Sequence, residues 1–105
     1  MAIYELRTYT LYVGKMGEAQ KLYTELGWPA LEKYGDKLVG YFQGDIGAMN
    51  QIVHLWKFAD DADRRQHWDK VFSDQDFMAF AKQFRPLLLS QENKLLTAAP
   101  WGPTV

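Results

Sequence analysis

The chain has 105 residues with 12 basic and 13 acidic side chains, which gives a formal net charge of −1 at pH 7. This length predicts a single domain over residues 1–105, and the balanced charge argues against partners such as nucleic acid or an anionic membrane surface. The chain contains no cysteine, which excludes disulfides and thiolate metal sites. No stretch has the ~18 apolar residues of a membrane span or the pattern of a signal peptide, so we expect a cytoplasmic protein.

The first predicted element is a strand over Ile3–Leu11, which contains no Gly or Pro and is rich in β-forming residues. Successive strand side chains point to opposite faces, so Glu5, Arg7 and Tyr9 share one face. An acid and a base two residues apart beside an aromatic ring form either a solvated ion pair, worth about 0–1 kcal/mol, or the polar wall of a cleft. In a cleft, the planar guanidinium of Arg7 would suit a carboxylate or phenolate.

The following segment predicts a helix from Met16, because apolar residues recur there at helical spacing. Pro29 should kink this helix or restart it, since proline lacks the backbone N–H and crowds the preceding turn. The remaining elements in chain order are a helical piece over 29–34, strands over 37–43 and 50–58, a helix in two pieces over 59–85, and a strand over 88–97. We expect the Pro/Gly-rich tail after residue 97 to reach a neighbouring subunit.

This order predicts a ferredoxin-like βαββαβ fold of the α+β class, in which two helices cover one face of a four-stranded antiparallel sheet. The other face would be bare, and a bare apolar face is a liability unless a partner covers it. We therefore predict a homodimer whose sheets close face to face. Because helices need aliphatic cover, we assign Tyr4, Leu6, Val53 and Leu55 to the helix-covered face. The open face would then carry Glu5, Arg7, Tyr9, Asn50, His54 and Trp56.

Four segments together resemble the NIPSNAP family: Tyr4–Leu11, Gly40–Phe42, Asn50–Trp56 and Ser90–Lys94. The match extends from Ile3 to about Pro100 in family order and spacing. The resemblance implies a dimeric α+β barrel built from ferredoxin-like subunits. Relatives in fold include cofactor-free aromatic oxygenases and haem-degrading monooxygenases, so the resemblance fixes the fold better than the function.

Several side chains are candidates for a site. His54 could transfer a proton, because the pKa of histidine lies near neutrality, although a structural role is equally compatible with its position between Ile52 and Trp56. Tyr9, Tyr41 and Trp56 would either stack on a ligand or pack in the core or a dimer interface.

Two further residues have simpler interpretations. Asn50 could orient a ligand carbonyl, but its place beside a Gly-rich turn favours a local hydrogen bond. His67 lies among polar residues of a predicted helix, so we expect it to be solvated. Two histidines on different elements predict no dedicated metal site.

The sequence thus predicts a small homodimer that binds a partly apolar ligand, with one anionic or hydrogen-bonding end, in the lumen of its barrel. Glu5 and Arg7 would orient this ligand, His54 would transfer protons if a reaction occurs, and no cofactor would be needed. One alternative is a cofactor-independent monooxygenase, in which a substrate carbanion reduces oxygen directly. Others are a haem-dependent monooxygenase with His54 as the axial ligand, and a protein-interaction module without catalysis.

Overall fold

The computed structural model describes residues 1–105 and contains one four-stranded antiparallel sheet. Its strands are β1 (Ile3–Leu11), β2 (Leu38–Gln43), β3 (Gln51–Phe58) and β4 (Leu88–Leu96). Its helical segments are α1 (Met16–Leu22), a π-helical turn (Tyr23–Gly27), α2 (Trp28–Leu31), a 3₁₀ segment (Glu32–Lys37), α3 (Asp61–Phe72), α4 (Gln75–Phe84) and a 3₁₀ turn (Arg85–Leu87). The predicted ferredoxin-like α+β fold is confirmed, and none of the helices is long and apolar enough to cross a membrane.

The strands lie in the order β2-β3-β1-β4, which places β1 between β3 and β4. Arg7 on β1 lies opposite His54 on β3 and opposite Asn93 on β4. Glu5 lies opposite Trp56 in the same ladder. Because directly opposed residues of an antiparallel pair share a face, the polar residues of β1 and β3 form one continuous patch.

The first helical layer (α1 to the 3₁₀ segment, residues 16–37) is interrupted next to Pro29, as predicted, because the π-helical turn ends at Gly27 and α2 begins at Trp28. Gly27 keeps helical backbone angles (φ −68°, ψ −53°), and Pro29 lies in the first turn of α2. A proline is tolerated in a first turn because its missing N–H is not needed there. The irregularity takes the form of the π-helical turn that precedes α2.

The core is rich in aromatic rings and lies between the helices and one face of the sheet. One buried cluster joins Leu11 and Ile52 of the sheet to Phe80 and Phe84 of α4. A second cluster joins Trp56 and Phe58 of β3 to Leu31, Trp68 and Val71 of the helices.

The predicted assignment of the two sheet faces is wrong. Glu5, Arg7, His54 and Trp56 lie under the helices and are only 2%, 8%, 1% and 0% exposed in the single chain. The helices present several aromatic rings to the sheet, and these rings pack against the aromatic face of β1 and β3. Leu6, Thr8, Val53 and Leu55 therefore lie on the open face, where each is half-buried.

Side-chain caps fix the N-terminal ends of α3 and α4, and a long-range hydrogen bond holds the tail. Asp60 caps α3 by accepting a hydrogen bond from the Asp63 N–H at 2.8 Å, and Asp74 caps α4 through the Phe77 N–H at 3.0 Å. The C-terminal tail contacts its own chain, because the Val105 carbonyl accepts a hydrogen bond from the Tyr4 hydroxyl at 2.8 Å.

Candidate functional site

A cavity of about 120 Å³ lies between the sheet and the helices of a single chain. Most of its walls are aromatic or aliphatic, and α4 supplies much of one side. Its lining side chains that carry hydrogen-bonding groups are Arg7, Tyr9, Tyr23, Tyr41, His54, Trp68, Arg85 and Gln91. The site therefore does not lie in the lumen between two sheets, where the sequence placed it.

Arg7 is fixed on several sides. Its Nε lies 2.9 Å from Glu5 Oε2, and its Nη1 donates to the Tyr9 hydroxyl at 3.3 Å. The guanidinium carbon lies 4.3 Å from the centroid of the Trp68 ring, within the range of a cation–π interaction. A guanidinium has five N–H groups, so Arg7 keeps donors for an occupant of the cavity.

Glu5 is a buried carboxylate that holds Arg7 in place. Besides Arg7, it accepts hydrogen bonds from Trp68 Nε1 at 3.0 Å and from Arg64 Nη1 at 3.3 Å. These two donors lie four residues apart on α3, so one face of this helix supplies both. Burying a carboxylate is costly unless its oxygens are paired, and these contacts meet that condition. Glu5 does not line the cavity, so it positions Arg7 rather than contacting a ligand.

His54 has a defined tautomer. Its Nδ1 accepts a hydrogen bond from Trp56 Nε1 at 2.6 Å. Since an indole N–H can only donate, the neutral imidazole of His54 carries its proton on Nε2. That Nε2 is buried without a hydrogen-bond partner. Burial, together with the charge of Arg7, lowers the pKa of His54 to about 3, so at neutral pH the ring is an uncharged donor.

Two tyrosines pack against the His54 ring. Tyr41 stacks on it with centroids 4.3 Å apart and an interplanar angle of 6°, and Tyr9 meets it edge-on at 4.8 Å. Burial raises the pKa of Tyr9 and of Tyr41, so both phenols keep their protons at neutral pH. The cavity therefore presents the guanidinium groups of Arg7 and Arg85 and several neutral O–H and N–H groups.

The family model for NIPSNAP matches residues 4–103. The chain belongs to the NIPSNAP family. A "Protein NipSnap homolog" of Dictyostelium discoideum is 30% identical over 94 residues, which are 90% of this chain but only 41% of that protein. The chain thus spans about two fifths of the length of this relative.

Solved structures agree with this family assignment. A NIPSNAP family protein of Agrobacterium tumefaciens has a TM-score of 0.90 and 35% identity, and the alignment covers 98% of both chains. A protein of Caulobacter crescentus described as a candidate antibiotic biosynthesis monooxygenase has a TM-score of 0.68 over 93% of this chain and 90% of its own. At 15% identity this second likeness shows the fold alone.

Three of the residues singled out in the sequence of this NIPSNAP chain do not line the cavity. Asn50 does not line the cavity, and its backbone carbonyl accepts a hydrogen bond from the Leu11 N–H at 2.7 Å. Trp56 is fully buried behind the cavity and orients His54. His67 is 6% exposed rather than solvated, because it lies on the inward face of α3 beside Trp68, with ring centroids 4.6 Å apart.

Sequence reasoning missed the contributions of the helices to the NIPSNAP site. Trp68 and Arg64 both bind Glu5, and Tyr23 and Arg85 line the cavity. The spacing of Arg64 and Trp68, one helical turn apart, was the signal that could have paired them with a strand carboxylate.

The cavity does not fit a haem. His54 is the only histidine among its lining residues, and the lone pair that an axial ligand needs is absent from an Nε2 that carries a proton. A volume of about 120 Å³ is also well below the roughly 300–1,000 Å³ of pockets that hold drug-sized ligands. Elsewhere in this NIPSNAP chain, no three His, Asp or Glu side chains come together as a metal site would require.

Proposed function

We propose that this NIPSNAP protein binds a small, partly apolar molecule through an anionic or hydrogen-bond-accepting group. The observation that carries the proposal is the unpartnered Nε2 of His54, which is buried in the wall of a cavity that Arg7 also lines. Buried polar groups are almost always hydrogen-bonded in folded proteins. A ligand oxygen between these two side chains would accept from both.

The walls support the apolar part of this description. Eleven of the fifteen lining residues are hydrophobic, and the volume is close to that of the engineered cavity of about 150 Å³ that holds benzene. The portion of the ligand held in this cavity is therefore limited to a few heavy atoms.

The geometry of His54 supports binding over a reaction that begins with proton abstraction. A cofactor-independent oxygenase needs a base with a free lone pair. Trp56 occupies Nδ1, and the other nitrogen carries the proton. Burial also lowers the pKa of His54 to about 3, which makes the ring a weak base. We therefore assign His54 the role of a hydrogen-bond donor.

The test is an NMR titration of amide chemical shifts with propanoate, a probe small enough for the cavity. We expect saturable binding with a Kd on the order of millimolar, since the ligand has few heavy atoms. Arg7→Lys keeps the charge but loses the planar fork, so it should weaken binding about tenfold.

The matched control is Arg65→Lys, because Arg65 is a surface residue whose side chain is 70% exposed. This variant should bind propanoate like the wild type. Propanoate that does not bind, or that binds Arg7→Lys and the wild type equally, would contradict the proposal.

We also propose that the chain forms a homodimer in the cytoplasm through the open face of its sheet. Leu6, Val53 and Leu55 lie half-buried on this face, and Phe42 and Leu96 are 60% and 40% exposed. Apolar side chains that adjoin one another on a surface mark an interaction site. A second copy would cover this face and leave the cavity on the other side of the sheet accessible.

Sedimentation equilibrium tests this proposal. We expect the wild type at twice the 12.2 kDa mass of the chain, and Leu55→Glu at the mass of the monomer, since a carboxylate in the interface would lose its hydration. Val13→Glu is the control, because Val13 is 86% exposed in a turn outside the strands of the sheet. A wild type that sediments as a monomer at micromolar concentration would refute the dimer.

A further inference from the structure

A second, larger depression lies beside the cavity. This groove has a volume of about 670 Å³ and runs between edge strand β2 and the first helical layer. Trp28 and Phe42 line it and are 39% and 60% exposed. Gln20 Nε2 donates to Gln43 Oε1 at 2.8 Å and so ties α1 to β2 across the groove. Its volume lies in the range of roughly 300–1,000 Å³ that small-molecule sites occupy.

The groove and the cavity share a wall. Tyr23 and Tyr41 line both spaces, and their rings meet edge-on with centroids 5.5 Å apart. On the cavity side, the Tyr41 ring stacks on the His54 ring. A molecule held by His54 and Arg7 therefore lies one aromatic layer away from the groove.

The shared wall is built on irregular backbone. Tyr23 opens the π-helical turn, which ends at Gly27. A Cβ on Gly27 would lie 2.7 Å from the Phe80 ring and 2.9 Å from the Tyr23 ring, so only glycine lets these rings approach. Single π-helical turns occur frequently at functional sites, and this turn carries the ring that separates the two spaces.

The two spaces differ in charge. Arg7 and Arg85 line the cavity, and no carboxylate does. Arg85 is also the one arginine of the chain without a carboxylate partner. The groove is lined entirely by uncharged side chains. An anionic group is therefore favoured in the cavity, and an uncharged, flat apolar group is favoured beside Trp28 and Phe42.

We infer that the groove is a second subsite for the same ligand. The ligand class is an elongated monocarboxylate or similar anion whose head lies on Arg7 and His54 and whose aromatic end lies against Trp28. The chain between head and ring crosses the wall formed by Tyr23 and Tyr41, so these two touching rings must turn apart when the ligand binds. This inference rests on the proposed function, since it needs the head to bind in the cavity.

The experiment compares pentanoate with 5-phenylpentanoate, which differ only in the terminal ring, in the same NMR titration. We expect the phenyl compound to bind about tenfold tighter, because its ring buries apolar surface in the groove. The indole N–H signal of Trp28 should shift with 5-phenylpentanoate and not with pentanoate. This readout uses the wild-type protein and does not depend on the folding of a variant.

Trp28→Ala should weaken 5-phenylpentanoate about fivefold and leave pentanoate unchanged. Trp101→Ala is the matched control, since Trp101 is 77% exposed and lines neither space, and it should change neither affinity. Equal affinities for the two compounds, or an unmoved Trp28 signal, would contradict the second subsite in the groove but not the proposed binding site in the cavity. If neither compound binds, the proposed function fails and the second subsite fails with it.

Discussion

The two faces of the sheet are made by the same strands but differ in which kinds of side chain they bury. The helix-covered face buries Glu5, Arg7 and His54, whereas the open face carries Leu6, Thr8 and Val53 in a half-buried state. Hydropathy would assign these faces the other way round. The difference shows that charged side chains of β1 can be buried because neighbouring elements satisfy them. Here α3 and β3 supply hydrogen-bond donors and aromatic rings to Glu5 and Arg7.

The largest expected effect comes from breaking this pairing. Glu5→Gln would leave the buried guanidinium of Arg7 without its carboxylate at 2.9 Å. Removing one partner of a buried ion pair typically costs about 3–5 kcal/mol, so we expect a loss of this size in the free energy of unfolding. Urea denaturation monitored by far-UV circular dichroism measures it.

An exposed ion pair outside the helix-covered face provides the control for the Glu5 variant. Glu92 on β4 lies 3.3 Å from Lys94, and both side chains are more than half exposed. Glu92→Gln should change the free energy of unfolding by less than about 1 kcal/mol. Equal costs for the Glu5 and Glu92 variants would mean that burial does not distinguish the two faces.

The second effect is a dependence of stability on pH between pH 7 and pH 5, to which the two buried histidines contribute. Burial lowers the pKa of His54 to about 3 and that of His67 to about 4. Below pH 6.5 the unfolded chain binds protons that the folded chain does not, so stability is lost as pH falls from 6.5 towards these values. Each histidine contributes up to about 1.4 kcal/mol per pH unit.

Chemical denaturation between pH 7 and pH 5 measures this slope. His67→Phe keeps an aromatic ring beside Trp68 and should remove about one proton from the slope. A slope that is unchanged in this variant would show that His67 does not titrate with folding.

A smaller effect on stability tests how tightly the π-helical turn packs against α4. Gly27→Ala would force the Phe80 and Tyr23 rings to move, since the added Cβ would lie within 3 Å of both. We expect a loss of about 1–3 kcal/mol. Gly17→Ala is the matched control, because open space surrounds this helical glycine, and alanine there should be neutral or stabilise slightly. Thermal unfolding of both variants makes the comparison, and a stable Gly27 variant would argue against close packing.

The smallest expected effect is on the open face. Tyr4→Phe removes the hydrogen bond to the Val105 carbonyl and should cost about 1 kcal/mol. Hydrogen exchange at the tail should become faster at the same time. The corresponding change at Tyr12, which is 49% exposed, should alter neither quantity, and identical behaviour of the two variants would mean that the tail does not dock on Tyr4.

The sequence correctly predicted those features that depend on residues close together along the chain. Alternation along β1 and β3 correctly grouped Glu5, Arg7 and His54 on one face. Which face is covered depends on Trp68, 63 residues from the Glu5 that it binds. No local pattern contains that contact.

Other parts of the site were hidden for related reasons. His67 was misplaced because α3 is polar over most of its length, so its inward face has no clear apolar stripe. The tautomer of His54 depends on a 2.6 Å contact with a residue two positions along the same strand. Alternation indicates that the two side chains share a face but not that one donates to the other.

The four tryptophans of the chain are distributed so that the molecule carries its own optical reporters. Trp56 donates to His54, Trp68 stacks on Arg7, and these two rings lie 5.1 Å apart. Trp28 lies in the groove, and Trp101 is in water. Intrinsic emission should therefore respond at the shielded indoles when an anion reaches the guanidinium, and at a separate, partly hydrated indole when a ring enters the groove. Unlabelled protein would then be sufficient to screen compound collections by fluorescence.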